Sequence, residues 1–268
     1  MKVNDKAFIV TGAGNGIGRE ITIQLIQKGA RVAAIDVNEN YLNETKALAN
    51  VSDKILSIHP FDISDRMAIQ DLPKRIFLSH NYIDGLMNVA GIIQPFVKVN
   101  ELDYRVIDKV ININFYGTVY MTKTFLPFLI HRPEAHIVNV SSMGGFLPVP
   151  GQSIYGASKA AVKLFTEGLN AELSNTAIHV SIVFPGSIGT QIAQNSKVDV
   201  SRLNTPSNQT VKTLTPQKAA GIIIEGMEKN KYRILVGSDA KFMDKLYRLA
   251  PEFAKNYIAK KMRFLWGH

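Results

Sequence analysis

The chain has 268 residues, 46% of them apolar and 20% charged, with no cysteine and a formal charge of +9 from 31 Lys+Arg against 22 Asp+Glu. This apolar content excludes a disordered chain, the missing cysteines exclude a disulfide framework or a thiolate-ligated zinc site, and the length suits one large α/β domain or two small ones. No apolar run approaches the roughly 18 to 20 residues of a bilayer-spanning helix, and Met1 to Lys6 is polar with only a short apolar run behind it, so no membrane span or secretion signal is expected and a cytoplasmic setting is.

Short β-rich runs alternate with longer segments of helical period, the pattern of βα units around a parallel sheet. In chain order the expected elements are strand 7–11, helix 16–29, strand 31–36, helix 39–50, strand 54–62, helix 64–80, strand 84–90, helix 101–130, strand 136–141, helix 153–174, strand 177–184, helix 216–230 and strand 232–237. Thr215 can cap the helix that Pro216 opens. Strands such as AHIVNV and IHVSIVF are apolar on both faces, as expected where helices cover both sides of a sheet. The stretch 186–214, rich in Ser, Thr, Asn and Gln, is longer than an ordinary loop and follows a strand end, where open α/β sheets bind ligands. A substrate lid is expected there.

Thr11 to Gly18, TGAGNGIG, joins the first strand to the first helix. Its glycines permit a tight turn and close backbone approach, so that N–H groups and the positive helix end can face a pyrophosphate. Asp36 closes the second strand, 18 residues beyond Gly18. A carboxylate there can accept from both hydroxyls of an adenosine ribose and would repel a 2′-phosphate; with no basic residue at Asn15 or Val37, NAD is favoured over NADP. Further on come Ser141-Ser142 and Tyr155-Gly156-Ala157-Ser158-Lys159. Residues four apart share a helix face, so the Tyr155 hydroxyl and Lys159 ammonium can meet at one centre. A free tyrosine, with a pKa of about 10, is a poor base near neutrality, and a nearby ammonium lowers that value.

With these motifs in place the sequence resembles the short-chain dehydrogenases/reductases, over about residues 5–238. The loop has the family's TGxxxGxG spacing, Asn88-Val89-Ala90-Gly91 stands for NNAG with valine replacing the second asparagine, and Pro185-Gly186-Ser187-Ile188-Gly189-Thr190 resembles PGxxxT. The resemblance implies a single Rossmann-type doubly wound α/β domain with a seven-stranded parallel sheet over 1–238, and catalysis by Asn114, Ser142, Tyr155 and Lys159. Tyr155 is then the acid/base, Ser142 orients substrate, Lys159 binds ribose and lowers the tyrosine pKa, and Asn114 kinks the fourth helix and holds a water in a proton relay. It further places Gly12, Asn15, Gly16, Ile17, Gly18, Asp36, Asp62, Ile63, Asn88, Ala90, Gly91, Pro185, Gly186, Ile188 and Thr190 around the cofactor, with Tyr155 and Lys159.

The implied reaction is NAD(H)-dependent hydride transfer between nicotinamide and a secondary alcohol or ketone. Gln94, Phe96, Phe146, Leu147 and Gln152, with Ile93 and Val149, are expected to line the substrate pocket; most are apolar, which points to a hydrophobic, steroid-like, long-chain or aromatic compound. An NADP-dependent carbonyl reductase and a non-catalytic dinucleotide-binding sensor are the alternatives. A homodimer or homotetramer through the helices 101–130 and 153–174 is also implied. The six histidines show no metal-ligand spacing, are expected at the surface or at strand ends, and no metal is expected.

Residues 239–268 lie outside the resemblance as a helical, amphipathic extension, divided by Pro251 into 240–250 and 252–264. Residues 241–268 hold seven Lys+Arg against Asp244 and Glu252, a net +5, so more than half the charge excess belongs to this tail. Three placements compete: docking on its own domain or a neighbouring subunit to cap the cleft, resting on an anionic membrane, or binding nucleic acid. The last has no accompanying motif, and no nucleic acid is expected.

Overall fold

A computed structural model describes residues 1–196, 198 and 213–262. The middle of the expected lid and the Phe264-Leu265-Trp266 end fall outside the described residues. The elements in chain order are β1 (Ala7–Thr11), α1 (Gly16–Gln27), β2 (Arg31–Asp36), α2 (Glu39–Ala49), β3 (Leu56–Pro60), α3 (Leu72–Phe77), β4 (Gly85–Asn88), α4 (Tyr104–Ile111), α5 (Gly117–Leu129), β5 (Ala135–Val140), α6 (Ser153–Glu172), β6 (Ile178–Pro185), α7 (Ile192–Asn195), α8 (Pro216–Glu228), β7 (Arg233–Val236), α9 (Ser238–Leu249) and α10 (Pro251–Lys261).

The seven strands form one sheet of order β3-β2-β1-β4-β5-β6-β7, parallel at every pairing. Strand order reverses beside β1, and the crevice this opens at the carboxyl ends is where such sheets bind ligands. Each face has its own core. On one, Ile21 and Leu25 of α1 and Ile223, Ile224 and Met227 of α8 pack against Phe8, Val10 and Val32; on the other, Met121 and Phe125 of α5 and Leu169 of α6 cover Ile9, Ile35 and Ile137. Alternate residues of one strand thus serve opposite cores, which explains the unbroken apolar runs. Thr215 caps α8 as expected, accepting from the Lys218 amide.

Two expected helices are broken. In place of 64–80 only a 3₁₀ turn at Ala68–Asp71 and the short α3 are helical. Asp62 and Asp65 accept from the amides of Ser64, Met67 and Ala68, and such local bonds offer the backbone an alternative to helix. The segment 101–130 divides into α4 and α5 at a π-helical turn, Asn112–Tyr116. Inside that turn Asn114 is fully buried, and its amide clasps the loop after β4: Oδ1 accepts from the Ile92 amide and Nδ2 donates to the Ile92 carbonyl, each at 2.9 Å. The extra residue of a π turn is what carries Asn114 onto that loop.

Of the histidines, expected at the surface or at strand ends, His59 and His136 lie near the ends of β3 and β5, and both are buried, as is His80. Serine hydroxyls make this tolerable: Ser57 lies 2.8 Å from both His59 Nε2 and His80 Nε2, and Ser181 lies 2.8 Å from His136 Nε2.

The tail packs on its own domain. Met243 of α9 and Ala254 and Ile258 of α10 form a small core with Leu147, flanked by Phe146 and Tyr247. Arg233 of β7 lies 4.2 Å over the Phe184 ring and is ion-paired with the buried Asp244 of α9. No helix among the described residues is long and apolar enough to cross a membrane.

Candidate active site

A cleft of about 690 Å³ runs across the carboxyl ends of the central strands. Asp36, Tyr41, Phe61, Asp62 and Ile63 line it, as do Gly12 and Asn15 to Gly18, and also Ser142, Tyr155, Lys159, Pro185, Gly186, Ile188 and Thr190. Residues expected from three separate motifs are therefore gathered in one cavity.

The glycine loop is built for close approach. Gly12 has φ +68°, and a Cβ there would sit 2.9 Å from the Ala90 backbone; a Cβ at Gly18 would meet the Gly12 carbonyl oxygen at 2.1 Å. Asn15 caps α1 by accepting from the Gly16 amide and donates to Gln191 at 2.8 Å, which ties the loop to the segment after β6. Asp36 is held by two backbone amides, Gly14 and Asn38, each at 3.0 Å. The basic residue of this region, Arg19, directs its guanidinium to the Gly14 carbonyl and to Glu44. The open glycine cradle at a helix N-terminus, with a carboxylate fixed beside it, fits a nicotinamide dinucleotide.

At Ser142 the backbone is extended, and its Oγ accepts from the Gly144 amide at 3.0 Å. That bond fixes the oxygen and leaves its proton free to donate. The third residue of α6 is Tyr155, half-buried, with Ser142 as hydrogen-bond partner. Burial raises the tyrosine above its ordinary value, and the bond to Ser142 acts in the opposite direction. Loss of hydration, not the lowering expected from a nearby ammonium, sets the direction here. Lys159, itself buried, donates to the Val140 carbonyl at 3.0 Å, and burial lowers its pKa to about 8. The chain at Gly91 passes so close that a Cβ would sit 3.0 Å from Lys159 Nζ and 3.2 Å from Asn114 Oδ1. The Asn114 Nδ2 also bonds Ser158 Oγ, and that hydroxyl donates to the Tyr155 carbonyl, so Asn114 is tied to the helix of Tyr155 and Lys159.

Several expected residues lie elsewhere. Asn88 is buried behind the cleft, where its amide donates to Thr122 and Asn139 and joins β4 to α5 and β5. Of the seven named residues expected around the substrate, Ile93 lines the cavity and Gln94, Phe96, Phe146, Leu147, Val149 and Gln152 do not. Leu147 and Phe146 pack against the tail, Gln94 and Gln152 are buried against each other at the start of α6, and Phe96 lies outside the wall. In their place stand Ile92, Ile93, Ile113, Gln191, Ile192 and Gln194. Ile93 is expected here, and Gln191, Ile192 and Gln194 belong to the 186–214 segment expected as a lid; Ile92 and Ile113 carry no motif and reach the cleft through the loop after β4 and the π turn.

The fold and this site define a dinucleotide-binding α/β protein. A family model described as short chain dehydrogenase matches residues 6–201. The chain is 34% identical over 260 residues to the oxidoreductase SadH of Mycobacterium tuberculosis, covering 95% of this chain and 94% of that one. It is 32% identical over 269 residues to dehydrogenase/reductase SDR family member 7B of Rattus norvegicus, covering 97% and 82%. Among solved structures, a short chain dehydrogenase/reductase from Burkholderia phymatum in complex with NAD superposes with a TM-score of 0.83 at 23% identity, over 95% of this chain and 97% of that one. A short chain dehydrogenase from Burkholderia cenocepacia in complex with NADP gives 0.79, also at 23%, over 96% and 99%. The chain belongs to the short-chain dehydrogenase/reductase family, whose members are nicotinamide-dependent oxidoreductases. The two solved neighbours speak for the fold and are divided between NAD and NADP.

Proposed function

We propose that this protein is an NAD(H)-dependent dehydrogenase or ketoreductase acting on a hydrophobic secondary alcohol or ketone. The observation that carries this reading is one cleft lined both by the fixed Asp36 carboxylate and by Ser142, Tyr155 and Lys159. Gly12, Gly16, Gly18, Asp36, Asp62, Ile63, Ile188 and Thr190 would hold the dinucleotide, and the bound nicotinamide supplies the hydride donor or acceptor. Tyr155 exchanges a proton with the substrate oxygen, and Ser142 donates a hydrogen bond to that oxygen as charge develops. The Lys159 ammonium favours the tyrosinate and binds ribose, and Asn114 fixes the helix that carries both. Asp36, with no free cation beside it among the described residues, favours NAD over NADP. The apolar wall of Ile92, Ile93, Ile188 and Ile192 suits a lipophilic substrate; the lining cations among the described residues are Lys109 and Lys159.

The test compares NADH and NADPH binding by fluorescence, then screens lipophilic alcohols, polyols and hydroxy acids with the preferred coenzyme. Tyr155→Phe is expected to abolish turnover while leaving NADH affinity within about twofold. Selective turnover of hydroxy acids, tighter NADPH binding, or wild-type activity in Tyr155→Phe each contradicts a named part of the reading.

Two surfaces support partners. Tyr116, Phe128 and Leu164 are exposed on the π turn, α5 and α6 and favour a homodimer or homotetramer, to be sized by light scattering. On the docked tail, Phe242, Leu249, Phe253 and Tyr257 remain exposed beside Lys241, Lys245, Lys255, Lys260 and Lys261, while Asp239 and Asp244 are bonded to the domain. This basic, aromatic surface favours a cytoplasmic enzyme resting on anionic membranes. Sedimentation with phosphatidylserine vesicles but not with phosphatidylcholine vesicles is the expected result.

A further inference from the structure

A helix leaves its first amides without intrahelical partners, and its first turn frays unless something outside supplies acceptors. The acid/base tyrosine sits in that weak place, as the third residue of α6. The residue before the helix, Gln152, makes no side-chain cap, and orphan amides at this partly buried helix start would be costly. The acceptor comes instead from a loop about sixty residues upstream. Gln94 Oε1 accepts from the amides of Ile154 and of Tyr155 itself, both at 2.9 Å. Its Nε2 donates to the Gly151 carbonyl at 2.9 Å, and the Gln94 carbonyl accepts from Gln152 Nε2 at 2.7 Å. Gln94 is 0% exposed and does not line the cleft. The same loop is clasped by Asn114 two residues earlier, at Ile92, so it is pinned at both ends of a short span.

We infer that Gln94 is a positioning residue that caps the catalytic helix from another loop and holds the Tyr155 hydroxyl in register with Ser142. It acts through the backbone of Tyr155 and touches neither cleft nor substrate. An amide suits the task because it accepts two N–H bonds and donates to Gly151 while adding no charge. A carboxylate would keep both accepted bonds, turn the Gly151 contact repulsive, and set a negative charge near the forming tyrosinate, whose ionisable neighbour at this end of the cleft among the described residues is Lys159.

The inference rests on Tyr155 being the acid/base, and two readouts keep the questions apart. In Gln94→Leu, hydrogen–deuterium exchange across residues 153–156 of the full chain with bound NADH is expected to quicken at least tenfold, with NADH affinity within twofold. With the compound best used by the wild type, kcat is expected to fall at least tenfold while KM for NADH changes less than twofold. Gln94→Glu is expected to keep the exchange protection and to move the alkaline-rising limb of kcat/KM for alcohol oxidation upward by about one pH unit. A folded Gln94→Leu with wild-type exchange, or with wild-type kcat, overturns the inference. Should that variant not fold, an unmoved limb in Gln94→Glu overturns it. A wild type that binds NADH but turns over nothing in the screen contradicts the enzymatic reading instead, and exchange in Gln94→Leu then decides the cap.

Discussion

Lowering the pH from 7.5 to 5.0 is expected to remove a large share of this protein's stability through three buried histidines. His59 and His80 share the Ser57 hydroxyl, and His136 bonds Ser181; their exposures are 6%, 0% and 0%. Burial, reinforced by Arg75 and His80 for His59 and by Arg31 for His80, lowers the first two pKa values from 6.5 to about 4. Burial, with His179 and the N-terminus nearby, lowers His136 to about 3. The folded state keeps these rings neutral, whereas the unfolded chain binds protons below about 6.5. Stability is therefore full above that value and is lost as pH falls toward 4. At pH 5 the unfolded state gains about 2 kcal/mol for each such histidine, or roughly 6 kcal/mol for three, against a typical total of about 5 to 15 kcal/mol. Urea unfolding followed by circular dichroism at the two pH values measures the difference. His80→Gln, whose amide cannot take the proton, is expected to shrink it by about 2 kcal/mol. A wild-type loss below about 1 kcal/mol, or a His80→Gln variant that keeps the whole difference, refutes the reasoning.

Three further outcomes follow from contacts around the site. Gly18→Ala places a methyl group 2.1 Å from the Gly12 carbonyl oxygen, a backbone atom, so the glycine loop must shift and NADH affinity is expected to fall at least tenfold in a fluorescence titration. Arg233→Ala leaves the buried Asp244 without its main partner and uncovers Phe184; a loss of about 3 kcal/mol in urea unfolding is expected, only partly restored in Arg233→Lys because an ammonium cannot stack as a guanidinium does. Asp239→Ala removes the acceptor of the Ser187 amide, at 2.6 Å, and is expected to cost about 1 to 2 kcal/mol and to weaken NADH binding, while Asp239→Asn keeps most of both.

Strand positions and the chemical motifs were legible because each leaves a local trace. Doubly apolar runs mark buried parallel strands, and β1 and β2 fall on the expected residues. Where side chains bond to distant backbone, the trace disappears. The 3.6-residue period passes through Asn112–Tyr116 without a break, and it is the family resemblance that marks Asn114 as the place of a kink; the π turn there carries Asn114 to Ile92. Gln94 and Gln152 read as polar pocket residues, yet their polarity serves a helix start that the loop partly covers. The burial of His59 and His80, expected at the surface or at strand ends, is hidden for the same reason: a lone polar side chain in sequence does not show the Ser57 hydroxyl that permits it. Phe146 and Leu147 read as substrate contacts because nothing local reveals that the tail covers them.

The residues that would act on substrate and the residues that hold them come from different parts of the chain. Ser142 precedes a 3₁₀ turn whose far end, Phe146 and Leu147, is pinned by α9 and α10. The turn at Gly186 and Ser187, which leads into the Ile188 to Thr190 segment, is held by Asp239 at the start of the tail, so close that a Cβ on Gly186 would meet its carboxylate at 2.2 Å. Tyr155 depends on Gln94 for the cap of its own amide. Each brace lies outside the family motifs, and two of the three belong to the extension beyond residue 238. The tail's inward face is thus bonded to loops at the site, which leaves its outward cations and aromatic rings free for another surface. Pulling α9 away from the domain would have to break the Arg233–Asp244 pair and the Asp239 contact with the turn that leads into Ile188 to Thr190.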